Sequence, residues 1–88
     1  MPTVHVTLIG KPGCHLCDDA RQVIRSVIAD LPDHAPAVEV VERSILDDAD
    51  LHERYVEDIP VVLIEGRQHT YWRVDPTRLR TALLEEER

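Results

Sequence analysis

The only two thiols of the chain, Cys14 and Cys17, stand two residues apart in the run Gly13-Cys14-His15-Leu16-Cys17. This spacing serves three kinds of chemistry: a redox dithiol, half of a zinc site, or a pair of inert core thiols. The residues after the pair narrow the choice. From Leu16, apolar residues recur at Ala20, Val23, Ile24, Val27, Ile28 and Leu31, while Asp18, Asp19, Arg21, Gln22, Arg25 and Ser26 take the positions between. Such spacing predicts an amphipathic helix with one buried stripe. Cys17 falls on that stripe and Cys14 stands at the helix start behind a glycine. One sulfur is therefore expected to be exposed and the other shielded, as suits a dithiol in which Cys14 attacks a substrate disulfide and Cys17 resolves the mixed disulfide.

The helix start also favours the chemistry. Unpaired backbone N–H groups and the helix dipole stabilise negative charge there, so a Cys14 thiolate is favoured. Lys11, three residues earlier, and His15 act in the same sense, whereas Asp18 and Asp19 oppose it. A zinc site needs about four ligands, and His5, His34, His52 and His69 lie scattered without ligand spacing, so no metal site is expected.

The remaining elements must hold this pair in place. Val4 to Ile9 read as a strand apolar on both faces, as in the centre of a covered sheet. Gly10-Lys11-Pro12-Gly13 leads into the first helix, which Pro32 stops near Leu31. Ala37 to Glu42 read as a second strand, completing a right-handed strand, helix, strand unit. Ile45 to Tyr55 carry a modest helical pattern with Asp47 or Asp48 as N-cap. Val61 to Ile64 form the most apolar run, and Glu65-Gly66 joins it to Gln68 through Trp72 as a hairpin. Pro60 belongs at the first position of that strand, where its missing N–H does no harm and a cis peptide is plausible. Asp75-Pro76 opens the last helix as N-cap and first helical residue, with Leu79, Ala82 and Leu83 on its buried face. Glu85, Glu86 and Glu87 load negative charge at that helix's C-terminus, which predicts fraying.

The chain of 88 residues is expected to form a single domain spanning 1–88, since its length leaves no room for two cores. Its hydrophobic share of 43% supports a core, and 3% aromatics with no Phe leaves the packing to Val, Ile and Leu. A formal net charge of −7 disfavours polyanionic partners, so neither nucleic acid nor an anionic membrane is expected. The N-terminal run lacks the features of a secretory signal and no apolar run reaches the roughly 18 residues of a membrane span, which points to a soluble cytoplasmic protein, expected as a monomer. In such a reducing setting a lone cysteine pair is catalytic, redox-sensing or metal-binding more often than a structural staple.

This order of elements, with two cysteines after the first strand and a proline opening the third, resembles the thioredoxin-like fold in its compact, glutaredoxin-like form. The expected architecture is α/β: a three-layer sandwich, β-α-β-α-β-β-α, on a four-stranded mixed sheet. Lys11 matches a position where glutaredoxins often carry lysine. The resemblance implies that Pro60 is cis, that the backbone of Ile59 pairs with a bound peptide or glutathione, and that Asp75 is placed to meet the glutathione amino group. Trp72, at the end of the hairpin, is a candidate for lining the substrate groove. His15 and Leu16 stand where glutaredoxins usually carry proline and an aromatic, and the glycine pair usual before the last helix is replaced by Arg73-Val74-Asp75. The sequence is closer in these respects to short glutaredoxin-like proteins. The expected function is thiol-disulfide oxidation and reduction by Cys14 and Cys17 on protein or glutathione mixed disulfides, with no tightly bound cofactor and glutathione as a candidate co-substrate. The competing class is a non-catalytic binding module, either a carrier of metal or of an iron-sulfur cluster held by Cys14 and glutathione, or a thioredoxin-fold adaptor.

Overall fold

A computed structural model describes residues 3–86. The expected fraying at Glu87, like the start of the chain at Met1 and Pro2, lies outside the described residues. Strand β1 (Thr3–Gly10) runs into helix α1 (His15–Ala29), then β2 (Ala37–Ser44), α2 (Ala49–Tyr55), the hairpin β3 (Val61–Ile64) and β4 (Arg67–Tyr71), and α3 (Pro76–Glu85). The sheet order is β2-β1-β3-β4, with β1 parallel to β2 and antiparallel to β3. This is the mixed four-stranded, three-layer arrangement of the thioredoxin-like fold.

Each face of the sheet has its own core. Val4, Val6 and Leu8 of β1 and Val62 and Ile64 of β3 pack with Ala20, Ile24 and Val27 of α1 and Leu79 and Leu83 of α3. On the opposite face Ile9, Val61 and Ile45 are buried, with Leu51, Tyr55 and Ile59 packed against them. Tyr55 is thus helix packing. The alternation of β1 sends Val4, Val6 and Leu8 to the first layer and Ile9 to the second. His5 is exposed and Thr7 half-buried, so the burial on both faces expected from the sequence holds only at the end of the strand.

Several boundaries differ from those expected, each for a local reason. Helix α2 begins at Ala49, not Ile45, because Asp48 caps it: its Oδ1 accepts the N–H groups of Asp50 (2.9 Å) and Leu51 (3.3 Å). Ile45 is released to fill the core at 3% exposure. Strand β2 continues past Glu42 to Ser44, in register with Ile9 and Gly10 of β1. Helix α1 ends at Ala29, with Asp30 as C-cap. Strand β4 ends at Tyr71 because Trp72 adopts φ +65°, a left-handed conformation that strands exclude. Glu65 and Gly66 both take positive φ, as a two-residue hairpin turn demands, and the Glu65 carboxylate accepts the His5 N–H at 3.1 Å. At the end of α3, Glu86 meets Arg67 of β4 at 2.6 Å, so the acidic tail has a cation across the layer. Among the described residues no helix is long and apolar enough to cross a membrane.

Candidate functional site

Gly13 makes the turn into α1 at φ +76°, a conformation that glycine adopts without cost. The next residue, Cys14, is the N-cap of α1. Its backbone is extended (φ −97°, ψ 112°), its carbonyl accepts the Asp18 N–H at 3.1 Å, and its Sγ accepts the Cys17 N–H at 3.2 Å. A sulfur therefore fills the place usually taken by the oxygen of Ser, Thr, Asp or Asn. Negative charge on that sulfur faces a backbone donor with no partner inside the helix, and the positive end of the helix itself.

Both thiols are free, and their surroundings differ. Cys14 is half-buried at the surface, while Cys17, one turn into the helix, is 2% exposed. Burial pushes the Cys17 thiol up to about 11, with the hydrogen bond and charge of Cys14 acting the same way and the backbone N–H of Lys11 acting against them. Cys17 is thus a protonated thiol at neutral pH. The expected asymmetry of the pair is present.

The room for Cys17 comes from Gly10. A Cβ on that residue would stand 2.7 Å from Cys17 Sγ and 3.2 Å from its Cβ, so the end of β1 can approach α1 this closely only without a side chain. Reading the sequence did not single out Gly10. The one available signal was a glycine at the junction of strand and loop, where close backbone approaches are common.

Two clefts flank the first turn of α1. One, of about 250 Å³, lies toward β2 and is lined by Lys11, Pro12, Cys17, Asp18, Arg21, Glu42, Arg43 and Asp47 among others. Arg21 crosses it, meeting Asp18 at 2.8 Å and Glu42 at 2.7 Å, and these carboxylates hold its guanidinium protonated above its ordinary range. The second, of about 130 Å³, lies toward α3 between Leu16, Ala20, Val23, Trp72 and Val74, with Asp19 and Arg73 at its rim. Leu16, expected on the buried stripe, is 37% exposed and forms a wall of this cleft.

Trp72 does more than line the cleft. Its backbone N–H donates to the Pro60 carbonyl at 2.8 Å and its indole Nε1–H to the Glu57 carbonyl at 3.0 Å. Arg73 N–H closes a three-residue turn onto Tyr71 O at 2.8 Å, which sets the positive φ of Trp72. The tryptophan thereby ties the end of β4 to the segment that leads into β3. In that segment Ile59 is half-buried, Pro60 is buried, and the Ile59-Pro60 peptide is cis.

The other expected site residues separate. Lys11 is exposed and shares the polar cleft with Cys17. His15 is exposed as the first residue of α1. Asp75 lines neither cleft: its Oδ1 accepts the N–H groups of Thr77 (2.8 Å) and Arg78 (3.1 Å), which is the work of an N-cap. Among the described residues no three His, Cys, Asp or Glu side chains gather as metal ligands.

The sequence model of the family described as Glutaredoxin-like domain (DUF836) matches residues 5–84. Uncharacterized proteins of Mycobacterium tuberculosis and Mycobacterium bovis are each 29% identical to this chain over 80 residues, covering 91% of it and 82% of their own length. An X-ray structure of a structural-genomics target protein from X. campestris is 32% identical and superposes over 89% of this chain and 93% of that one, with TM-score 0.70. The solution structure of protein Ne2328 from Nitrosomonas europaea is 19% identical, covers 94% of both chains at TM-score 0.76, and shares the fold.

Proposed function

The chain belongs to the glutaredoxin-like domain family, and on that premise we propose that it is a thiol-disulfide oxidoreductase in which Cys14 is the nucleophile and Cys17 the resolving thiol. The observation that carries the reading is the position of Cys14: its sulfur caps α1, reachable from solvent and facing a backbone donor, with a buried second thiol one turn behind.

In the first step the Cys14 thiolate attacks one sulfur of a substrate disulfide. A Cys14–S–S–substrate bond forms, the substrate S–S bond breaks, and the departing thiolate takes a proton from water. Cys17 then loses its proton and attacks Cys14 Sγ, which frees the second substrate thiol and leaves a Cys14–Cys17 disulfide. Two electrons and two protons from an external dithiol, or from two molecules of glutathione, restore the pair. Glutathione is in this scheme a co-substrate, and the substrates are protein or glutathione mixed disulfides in a reducing compartment, the cytoplasm.

The two thiols divide the work by their surroundings. The half-buried sulfur at the helix start meets the disulfide, and the buried thiol, protonated at neutral pH, does not compete with it. The segment at Ile59-Pro60 lies at the start of β3, where Trp72 fixes it, and offers a wall on which a substrate backbone can rest. Leu16 and Trp72 add an exposed apolar rim suited to a protein substrate.

Replacing Cys14 with serine should abolish disulfide reduction, while Cys17→Ser should hold the substrate as a mixed disulfide that intact-mass analysis detects. Separate incubations with oxidised glutathione and with an oxidised protein disulfide show which is accepted. Full activity of the Cys14→Ser variant would overturn the proposal.

A further inference from the structure

Strand β2 is the edge of the sheet, and it is a long one. It pairs with β1 over its whole length from Ala37 to Ser44, and among the described residues its other side carries no strand. All of its residues are exposed or half-buried, and Val40 and Val41 are 40% and 41% exposed. Unpaired edge strands invite another strand, and proteins usually blunt them with charged side chains, prolines, bulges or short length. Strand β2 carries Glu39, Glu42 and Arg43, which repel any partner that does not match them. Here Pro36 precedes the strand, and the register with β1 runs without interruption.

The charges on this edge select a partner. A second copy adding its own β2 antiparallel would place a twofold axis perpendicular to the sheet, so that residue i faces residue j of the partner and j faces i. Residues opposite one another project from the same face, and side chains alternate between faces. Only residues of equal parity can therefore meet, and one residue must lie on the axis facing its own copy. An axis at Glu39 or Glu42 sets a carboxylate against itself. An axis at Val40 lays Glu39 against Val41 and Glu42 against Val38, with both carboxylates unmatched.

An axis at Val41 behaves differently. Glu39 then faces the partner subunit's Arg43, Arg43 faces the partner subunit's Glu39, and the two Val41 side chains meet between these pairs. Val40 faces the partner subunit's Glu42, whose carboxylate is already drawn aside to Arg21 at 2.7 Å. Val38 faces the partner subunit's Ser44. Opposite charges directly across an antiparallel pair attract, and like charges repel. The central registers thus reduce to one that is both symmetric and charge-matched.

We infer that the β2 edge is a self-association surface, through which two copies of this chain pair antiparallel about Val41 into a continuous eight-stranded sheet. The dimer departs from the monomer expected from the sequence. It leaves Cys14 and the Ile59-Pro60 segment uncovered, since these belong to the β1–α1 loop and to the start of β3, inward of the paired edge.

Sedimentation equilibrium of the full chain from micromolar to about 1 mM tests this, a range that brackets association of this modest size. The mass should rise with concentration from one chain to two. Glu39→Arg, which sets two arginine pairs face to face, should weaken association about tenfold or more, and Arg43→Glu likewise. The doubly swapped Glu39→Arg/Arg43→Glu chain should recover it, and β2 amides should gain hydrogen-exchange protection as concentration rises. All of these positions are exposed, so the fold tolerates the changes. A mass of one chain across the whole range would overturn the proposal, as would a dimer indifferent to Glu39→Arg or one that the double swap does not restore.

Discussion

The two clefts beside the first turn of α1 are built from opposite materials. The one toward β2 is polar, crossed by the ion pairs of Arg21, and leads to the buried Cys17. The one toward α3 is apolar, walled by Leu16 and Trp72, and borders the exposed start of the helix. A single turn of helix thus presents Cys17 to a charged flank and Leu16 to a greasy one. On the proposed mechanism the difference gives each flank a task. Water and carboxylates on the Cys17 side can receive the proton that this thiol must lose, while the Trp72 side offers the contact area that a protein surface wants.

If this division holds, the largest effect belongs to pH. In a mixed disulfide Cys14 no longer carries a titrating thiol, and burial, the largest cause of the upward push on Cys17, remains. Resolution should therefore accelerate about tenfold per pH unit between about pH 6 and 8, followed by stopped-flow release of the substrate thiol. A flat profile would mean that Cys17 is not set apart from Cys14 as its burial requires.

Next comes the fit of Cys17 against β1. Gly10→Ala brings a methyl to 2.7 Å from Cys17 Sγ. It should lower stability by about 1–3 kcal/mol in urea unfolding, as overpacking does, and slow resolution more than the first attack. The same substitution at Gly66, where a Cβ meets nothing within 4 Å but φ is +79°, should disturb the hairpin and leave the cysteines alone.

A smaller effect should follow on the apolar flank. Trp72→Ala removes the indole donor to Glu57 and should cost about 1 kcal/mol. It should raise KM for a protein disulfide more than for a small one, because the ring supplies surface and not chemistry. The smallest effect is that of Arg21→Ala. Its two ion pairs are solvent-exposed and screened, so the midpoint of thermal unfolding should hardly move.

Much of this arrangement could be read from the sequence, and the reason is periodicity. The stripe Ala20, Val23, Ile24, Val27 fixes which side of α1 faces the sheet, and Cys17 lies three residues before Ala20, so its burial follows. Asp75-Pro76 and Glu65-Gly66 carry their own local geometry, and the structure realises both as expected. What could not be read depends on contacts far apart in the chain. Gly10 matters because α1 packs across the end of β1. Leu16 continues the apolar pattern yet lies beyond the edge of the core, where Trp72 is its neighbour. Trp72 leaves the strand because the Arg73 N–H turns back onto Tyr71 O and sets its φ positive, although its own N–H still pairs with Pro60 in the β3–β4 register; periodicity reveals neither contact. Ile45 reads as helix by its spacing, and the N-cap at Asp48, one of the two that the sequence offered, excludes it; its place in the core beside Ile9 and Val61 is the contact that periodicity does not show.

Trp72 is the chain's single tryptophan, and its indole is held by the loop before Pro60 while its ring stands at the rim beside Leu16. The ultraviolet-excited emission of this protein at long wavelength therefore originates at one place. A shift in its colour or intensity is a local signal from the cleft between Leu16 and Trp72, and a molecule that enters it can be followed without attaching any dye.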